Sequence, residues 1–173
     1  MPRLYCGMPL VAFSSLPGDA RVWVFGSADE LSAESESDLL SAVDGYLEDW
    51  RAHGSPLTVA RDWRDGRFLA IAVDQRDEHA SGCSLDALFR VLRDLETRIG
   101  TSLLGGSRVY FRAPNGSVQV ADRTGFAEQA HAGSIDGNTR VFDLSVQTAG
   151  EWRDRFETGA AESWHRALLP VAA

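Results

Sequence analysis

Residues 57–74 read LTVARDWRDGRFLAIAVD, and their reading decides the fold class. Asp65-Gly66 lies between two β-prone runs. Such a pair is a strong hairpin signal, because a tight hairpin turn asks both of its residues for positive φ. Strands are therefore predicted at 57–63 and 68–74. The second, FLAIAVD, is almost continuously apolar, which marks a central strand covered on both faces.

Upstream, 21–25 (RVWVF) is a β-branched and aromatic run that stops at Gly26, a further strand. Ser32 offers an N-cap, and Glu34, Glu36 and Asp38 follow in the first two turns, where the helix dipole favours them. Leu39, Leu40, Val43, Tyr46, Leu47 and Trp50 recur at helical spacing. This helix is expected to stop near His53, with Gly54 just past its end and Pro56 beyond.

Downstream, 75–83 is a polar loop, and Ser84 is read as the cap of a second helix. Its apolar stripe is Leu85, Leu88, Leu92, Leu95 and Ile99, ending at Gly100. A strand at 108–112 turns through Pro114-Asn115-Gly116 into a hairpin partner at 117–121. A short helix is expected at 124–132 and a strand at 139–146. Helical turns at 151–156 and 162–169 are expected to point Trp152, Phe156, Trp164 and Leu168 inward. The order through residue 112 is strand, helix, strand, strand, helix, strand. It predicts an α+β protein with a ferredoxin-like split βαβ core (β-α-β-β-α-β) at about 20–112. A C-terminal β-hairpin and helical extension at about 113–173 completes one domain.

The chain has 173 residues, long enough to bury a sizeable core without disulfide staples. All 17 basic residues are arginine, against 25 acidic ones, for a net charge of −8. The absence of lysine excludes a Walker A lysine, a Schiff-base lysine and a lysine base. The acidic balance disfavours nucleic acid as a partner. No apolar run approaches the length of a membrane span, so no membrane partner is expected. Cys6 and Cys83 are too few for a disulfide framework and are read as reduced, in a cytoplasmic protein. Met8-Pro9 suggests Met8 as the biological start, with residues 1–7 dispensable. The sequence also lacks a phosphate-binding Gly loop, a dinucleotide fingerprint, a nucleophile elbow, HExxH and CxxC.

Site candidates follow from the expected core. Its first and third strands are read as central, parallel neighbours, so that loops 26–32 and 74–84 lie side by side. Two helix N-termini opening there would form an anion site. Ser27, Asp74, Ser81, Gly82 and Ser84 are its candidate ligand-binding residues. Cys83, just ahead of the second helix, is a candidate nucleophile, because a helix N-terminus lowers a thiol pKa. His79, four residues earlier, is the candidate base. The plain alternatives are Cys83 as apolar filler, Ser84 as a cap and His79 as a solvated loop residue. His79 and Cys83 make half a metal site without a second half, so no metal and no other cofactor is expected. His53 is placed at the far end of the first helix, out of reach of Cys83.

Arg61, Arg64, Arg67 and Trp63 crowd the hairpin tip, which is either solvated or a patch for an anion or partner. Trp23 and Phe25 share one strand face. Exposed, such a face stacks nucleobases, but 68–74 lacks the aromatics that this requires. The C-terminal extension is expected to cover the face.

Several stretches together carry a resemblance: LPGDARVWVF at 16–25, WRAHGSPL at 50–57, FLAIAVDQ at 68–75, ASGCSLDALFRVLRDLE at 80–96 and ESWH at 162–165. They resemble a family of small, uncharacterised bacterial proteins commonly labelled "ABC transporter ATPase". The likeness spans Pro17 to His165, with SGCSLD and AHG its most specific parts. The ATPase activity that the label implies has no support in these residues. Such an enzyme needs a Walker A lysine, and this chain has no lysine.

The first expectation is thus a binding or regulatory module for a small anionic molecule or a protein partner at loops 26–32 and 74–84, with homodimerisation open. The second is a thiol-dependent enzyme using Cys83. The third is a structural subunit that docks through its C-terminal helices.

Overall fold

The structure is a computed structural model that describes residues 10–76 and 79–171. Cys6 and the start at Met8 lie outside the described residues, as do Asp77 and Glu78 of the polar loop. Three strands, β1 (Arg21–Gly26), β4 (Thr58–Arg64) and β5 (Phe68–Asp74), form the first sheet in the order β1-β5-β4. Asp65 and Gly66 turn the β4–β5 hairpin at φ of 53° and 62°, as the primed turn requires. All seven residues of β5 are buried.

That burial is two-sided. Leu69, Ile71 and Val73 face α1 (Ala33–Glu48) and α2 (Gly82–Ile99), where they join Leu39, Val43, Leu88 and Leu92. Phe68, Ala70 and Ala72 face a second sheet and meet Tyr110, Phe142 and Trp152. Branched side chains fill the space under the helices, and alanines let the two sheets approach closely. The second sheet runs β7 (Val118–Asp122), β6 (Arg108–Arg112), β8 (Arg140–Phe142), β9 (Glu157–Gly159). Its outer face carries Val109, Phe111 and Val141 against Phe126 and Ala130 of α3 (Arg123–His131). The layers are helix, sheet, sheet, helix.

The structure is α+β as expected, but two features of the expected core change. First, β1 and β5 are neighbours that run antiparallel, with Arg21 opposite Val73 and Gly26 opposite Phe68. The α1 crossover brings β4 back parallel to β1, and the tight Asp65-Gly66 turn must then reverse β5. Second, the strand Arg108–Arg112 does not join the first sheet. It pairs with β7 on one side and β8 on the other. It is apolar on both faces, and only a position between the first sheet and α3 buries both.

Local corrections follow. Ser32 caps α1, accepting from the Ser35 N–H at 3.2 Å, but the helix ends at Glu48. His53 and Gly54, at φ of 51° and 84°, instead turn a small hairpin of β2 (Arg51–Ala52) and β3 (Ser55–Pro56). The face bearing Trp23 and Phe25 is covered by α1 and α2, while the C-terminal segment covers the opposite face. Helix α4 (Ala149–Asp154) buries Trp152 completely. In the 3₁₀ turn Trp164–Leu168, His165 points inward and Trp164 stays 36% exposed. Its backbone places the histidine toward Phe126, a ring contact of 5.9 Å.

Candidate functional site

The antiparallel register separates the loops that the parallel reading had joined. The loop after Gly26 leaves at the Phe68 end of β5, and the loop after Asp74 leaves at the Arg21 end. At about 3.3 Å per residue, six residues of β1 put roughly 20 Å between them. Ser27 is fully buried, donates its hydroxyl to the Asp29 carbonyl and its N–H to the Arg67 carbonyl at 2.8 Å. Its hydroxyl also lies 3.5 Å from the Thr101 hydroxyl, so its polar atoms tie its loop to the neighbouring segments.

Asp74 sits at the other end, with both carboxylate oxygens on the Arg76 guanidinium. The hydrogen bonds from Arg76 hold its carboxyl below the usual range, against the opposing effect of burial. Ser81, not Ser84, caps α2: its hydroxyl accepts the Ser84 N–H at 3.2 Å. The Ser84 hydroxyl donates back to the Ser81 carbonyl at 2.8 Å. Gly82 opens the helix and Cys83 follows in the first turn, both exposed. Cys83 is therefore no core filler, and its thiol is free. His79 is exposed in the preceding segment, and no hydrogen bond joins it to Cys83 among the described residues.

The same register moves His53. With β5 reversed, the C-terminal end of α1 and the N-terminus of α2 lie at one end of the first sheet. Tyr46 of α1 donates its hydroxyl to the Ser84 carbonyl at 2.8 Å. The hairpin carrying His53 thus belongs to the end that carries Cys83, contrary to expectation. Among the described residues no three His, Cys, Asp or Glu side chains cluster as a metal centre needs. No helix there is long and apolar enough to cross a membrane.

The arginines of the hairpin tip are also committed. Arg61 binds Asp44 with two bonds of 2.7 Å. Arg64 binds Asp62 and stacks 4.4 Å over the Trp152 ring. Arg67 donates to the Ala28 carbonyl.

A different feature has the shape of a site. A groove of about 670 Å³ runs along the outer edge of β1. Its walls include Phe89 of α2, the loop Leu103–Gly106, and the segment Leu144–Gln147. Arg21, Arg108 and Arg123 line it, from β1, β6 and the start of α3, and no carboxylate does. Among the described residues none of the three is in an ion pair. Arg21 donates to the Gln147 side-chain oxygen at 2.6 Å and covers the Trp23 ring. Arg108 donates to Ser102, and Arg123 lies 5.0 Å over Trp164. In a chain of net charge −8, three guanidinium groups thus stand along one partly apolar groove, while the carboxylates of Asp143 and Glu151 sit behind it, accepting from the lining residues Ser145 and Gln147.

Gly26, the last residue of β1, is part of the lining. The Tyr110 hydroxyl donates to the Gly26 carbonyl at 2.8 Å. Burial raises the phenol's pKa, so it remains a donor. Near the opposite wall, Trp164 stacks 3.9 Å from the His165 ring. His165 is fully buried, and burial pushes its pKa down to about 4, with Arg123 adding to the shift and Asp143 opposing it.

Sequence reading missed the three arginines, because they come from three elements that only the tertiary structure brings together. The one local sign was Gly105-Gly106 just before Arg108, a backbone without side chains beside a charged residue. Comparison of the chain with family models, with curated proteins and with solved structures finds no match.

Proposed function

We propose that this protein is a non-catalytic binding module that takes an anionic ligand or an acidic segment of a protein partner in the β1-edge groove. The first sheet is read as a split βαβ core whose fourth strand has been diverted into the second sheet, and the groove is the space left beside β1. The observation that carries the reading is Arg21, Arg108 and Arg123 around one apolar groove with no carboxylate in its lining. Guanidinium groups suit carboxylate and phosphate oxygens, which they grip in two-pronged fashion. Three such groups, without ion-pair partners among the described residues, also steer anions toward the groove. Catalysis by Cys83 and His79 has weaker support, because among the described residues no bond joins them and no third group orients either one.

The test is an NMR titration of the labelled protein with citrate and with a short oligoglutamate at low salt. Shifts are expected to gather on Val24, Gly105, Gly106 and Arg108, to weaken with added salt, and to disappear in an Arg21→Gln, Arg108→Gln, Arg123→Gln variant. Shifts scattered over the surface, or unchanged in that variant, would refute the reading.

A further inference from the structure

The outer edge of β1 is an unfinished β-ladder. In an antiparallel pair, alternate residues turn both backbone groups toward the partner strand. Val22 donates its N–H outward to the Gln147 carbonyl at 2.8 Å, and Ala149 donates to the Ala20 carbonyl at 2.9 Å. These two bonds make an antiparallel bridge between Arg21 and Thr148. The pairing then stops, because the chain before Gln147 turns away through the Val146 N–H to Asp143 carbonyl bond.

By the same alternation, the N–H and C=O of Val24 point outward into the groove, and no described residue bonds either one. The carbonyl of Val22 and the N–H of Gly26 face the same way. The opposite edge of this sheet is treated differently. Leu10 bridges Val59, and the Val11 N–H donates to the Val59 carbonyl at 2.8 Å. A split βαβ sheet has four places, with the fourth strand beside the first. Here β5 and β4 fill two places on one side of β1, and the place on its other side holds only the stub at Gln147–Thr148.

We infer that an extended, acidic segment of a partner protein fills this fourth place, adding as a strand antiparallel to β1 in line with Gln147–Thr148. Exposed sheet edges recruit strands in this way, the ladder giving affinity and flanking side chains the selectivity. Charge complementarity chooses the occupant. Arg21, Arg108 and Arg123 stand along the groove without a carboxylate, so the added segment carries the acids. A second copy of this chain pairing edge to edge would instead bring two such arginine sets together around the dyad. The inference rests on the groove being the anion-attracting site proposed above and adds that its ligand is a strand.

The probe is a short end-capped peptide alternating glutamate and threonine, with a twin of the same sequence N-methylated along its backbone. The twin keeps every charge and loses every ladder donor. The protein variant is Val24→Pro, which removes the outward N–H where an edge strand tolerates proline. The parent peptide is expected to bind and to slow hydrogen exchange at the Val24 amide. Binding should weaken about tenfold or more for the twin, which loses at least two ladder donors, and about fivefold for Val24→Pro, which loses one ladder bond.

Equal binding of the twin, with the Val24 amide unprotected, overturns strand addition and leaves the anion-binding reading standing. Binding of citrate but of neither peptide assigns the groove to a small anion and also overturns it. No binding of any probe overturns both readings. A dimer in sedimentation that dissociates in Val24→Pro makes a second copy the occupant, which again overturns the inference. If Val24→Pro fails to fold, the twin peptide and the Val24 exchange rate decide alone.

Discussion

The Tyr110 hydroxyl reaches across from the second sheet and donates to the Gly26 carbonyl at the last residue of β1. This bond ties the two sheets at a residue that lines the groove. It is made possible by the missing side chain at residue 26: a Cβ there would lie 2.7 Å from the Tyr110 oxygen and 3.0 Å from a Leu144 methyl.

Gly26→Ala is therefore expected to cost about 1–3 kcal/mol through overpacking, and Tyr110→Phe about 1 kcal/mol through the lost bond. The double variant should cost somewhat less than the sum, because removing the hydroxyl relieves the 2.7 Å contact while the ring carbon that bore it stays 2.8 Å from the added Cβ. Urea unfolding of the three proteins checks this. Full additivity would show that the two residues do not share one space.

His165 sets an acid limb of stability. Its folded pKa of about 4 lies below the ordinary value of 6.5. Between these values the unfolded chain binds the extra proton and the folded one does not, so stability rises with pH from 4 to 6.5. The full swing is about 3 kcal/mol. Unfolding midpoints across that range should show it, and His165→Phe should flatten the curve. A variant with the wild-type slope would place the titrating group elsewhere.

The cap of α2 separates two adjacent serines. Ser81→Ala removes the side chain that accepts the Ser84 N–H and should cost about 1 kcal/mol. Ser84→Ala loses only the bond back to the Ser81 carbonyl and should cost a few tenths of that amount. Thermal unfolding of both decides, and the reverse ranking would contradict the capping geometry.

Cys83 is exposed in the first turn of α2. In a Cys6→Ala background a maleimide should label it completely in the folded protein, with no need for unfolding. Cys83→Ala should change stability by less than about 0.5 kcal/mol, as surface substitutions do. Anion binding in the groove should also be untouched, because Cys83 is not among the groove's lining residues. Labelling seen only in denaturant would contradict the exposure.

Much of the fold was legible residue by residue. Ser32 announced α1, Asp65-Gly66 announced the β4–β5 hairpin, and the apolar run of β5 announced a strand covered on both faces. These signals rest on interactions spanning a few residues, which any reader of the chain can see. The cap of α2 slipped by one turn because Ser81 and Ser84 carry the same side chain, and local composition does not rank them. Gly54 reads from sequence as a helix stop, because a glycine past an apolar stripe and a glycine in a hairpin turn look alike.

The candidate site was not legible in this way. The expected anion pocket depended on β1 and β5 running parallel, and the hairpin turn that the sequence itself displays forbids it. The groove that stands in its place is built from Arg21, Arg108 and Arg123, which meet only when two sheets stack.

What the sequence by itself determined is the set of elements and their faces, because turn chemistry, capping and periodicity act within one or two turns of chain. What only the tertiary structure decided is partnership between strands. Nothing local tells Arg108–Arg112 to pair with β7 and β8 in the second sheet. That choice is made by burial, since a strand apolar on both faces, with Tyr110 on one and Val109 and Phe111 on the other, is covered completely only between the first sheet and α3. With that strand in the second sheet, the outer edge of β1 carries the short bridge of Arg21 with Thr148, and Val24 has no ladder partner among the described residues.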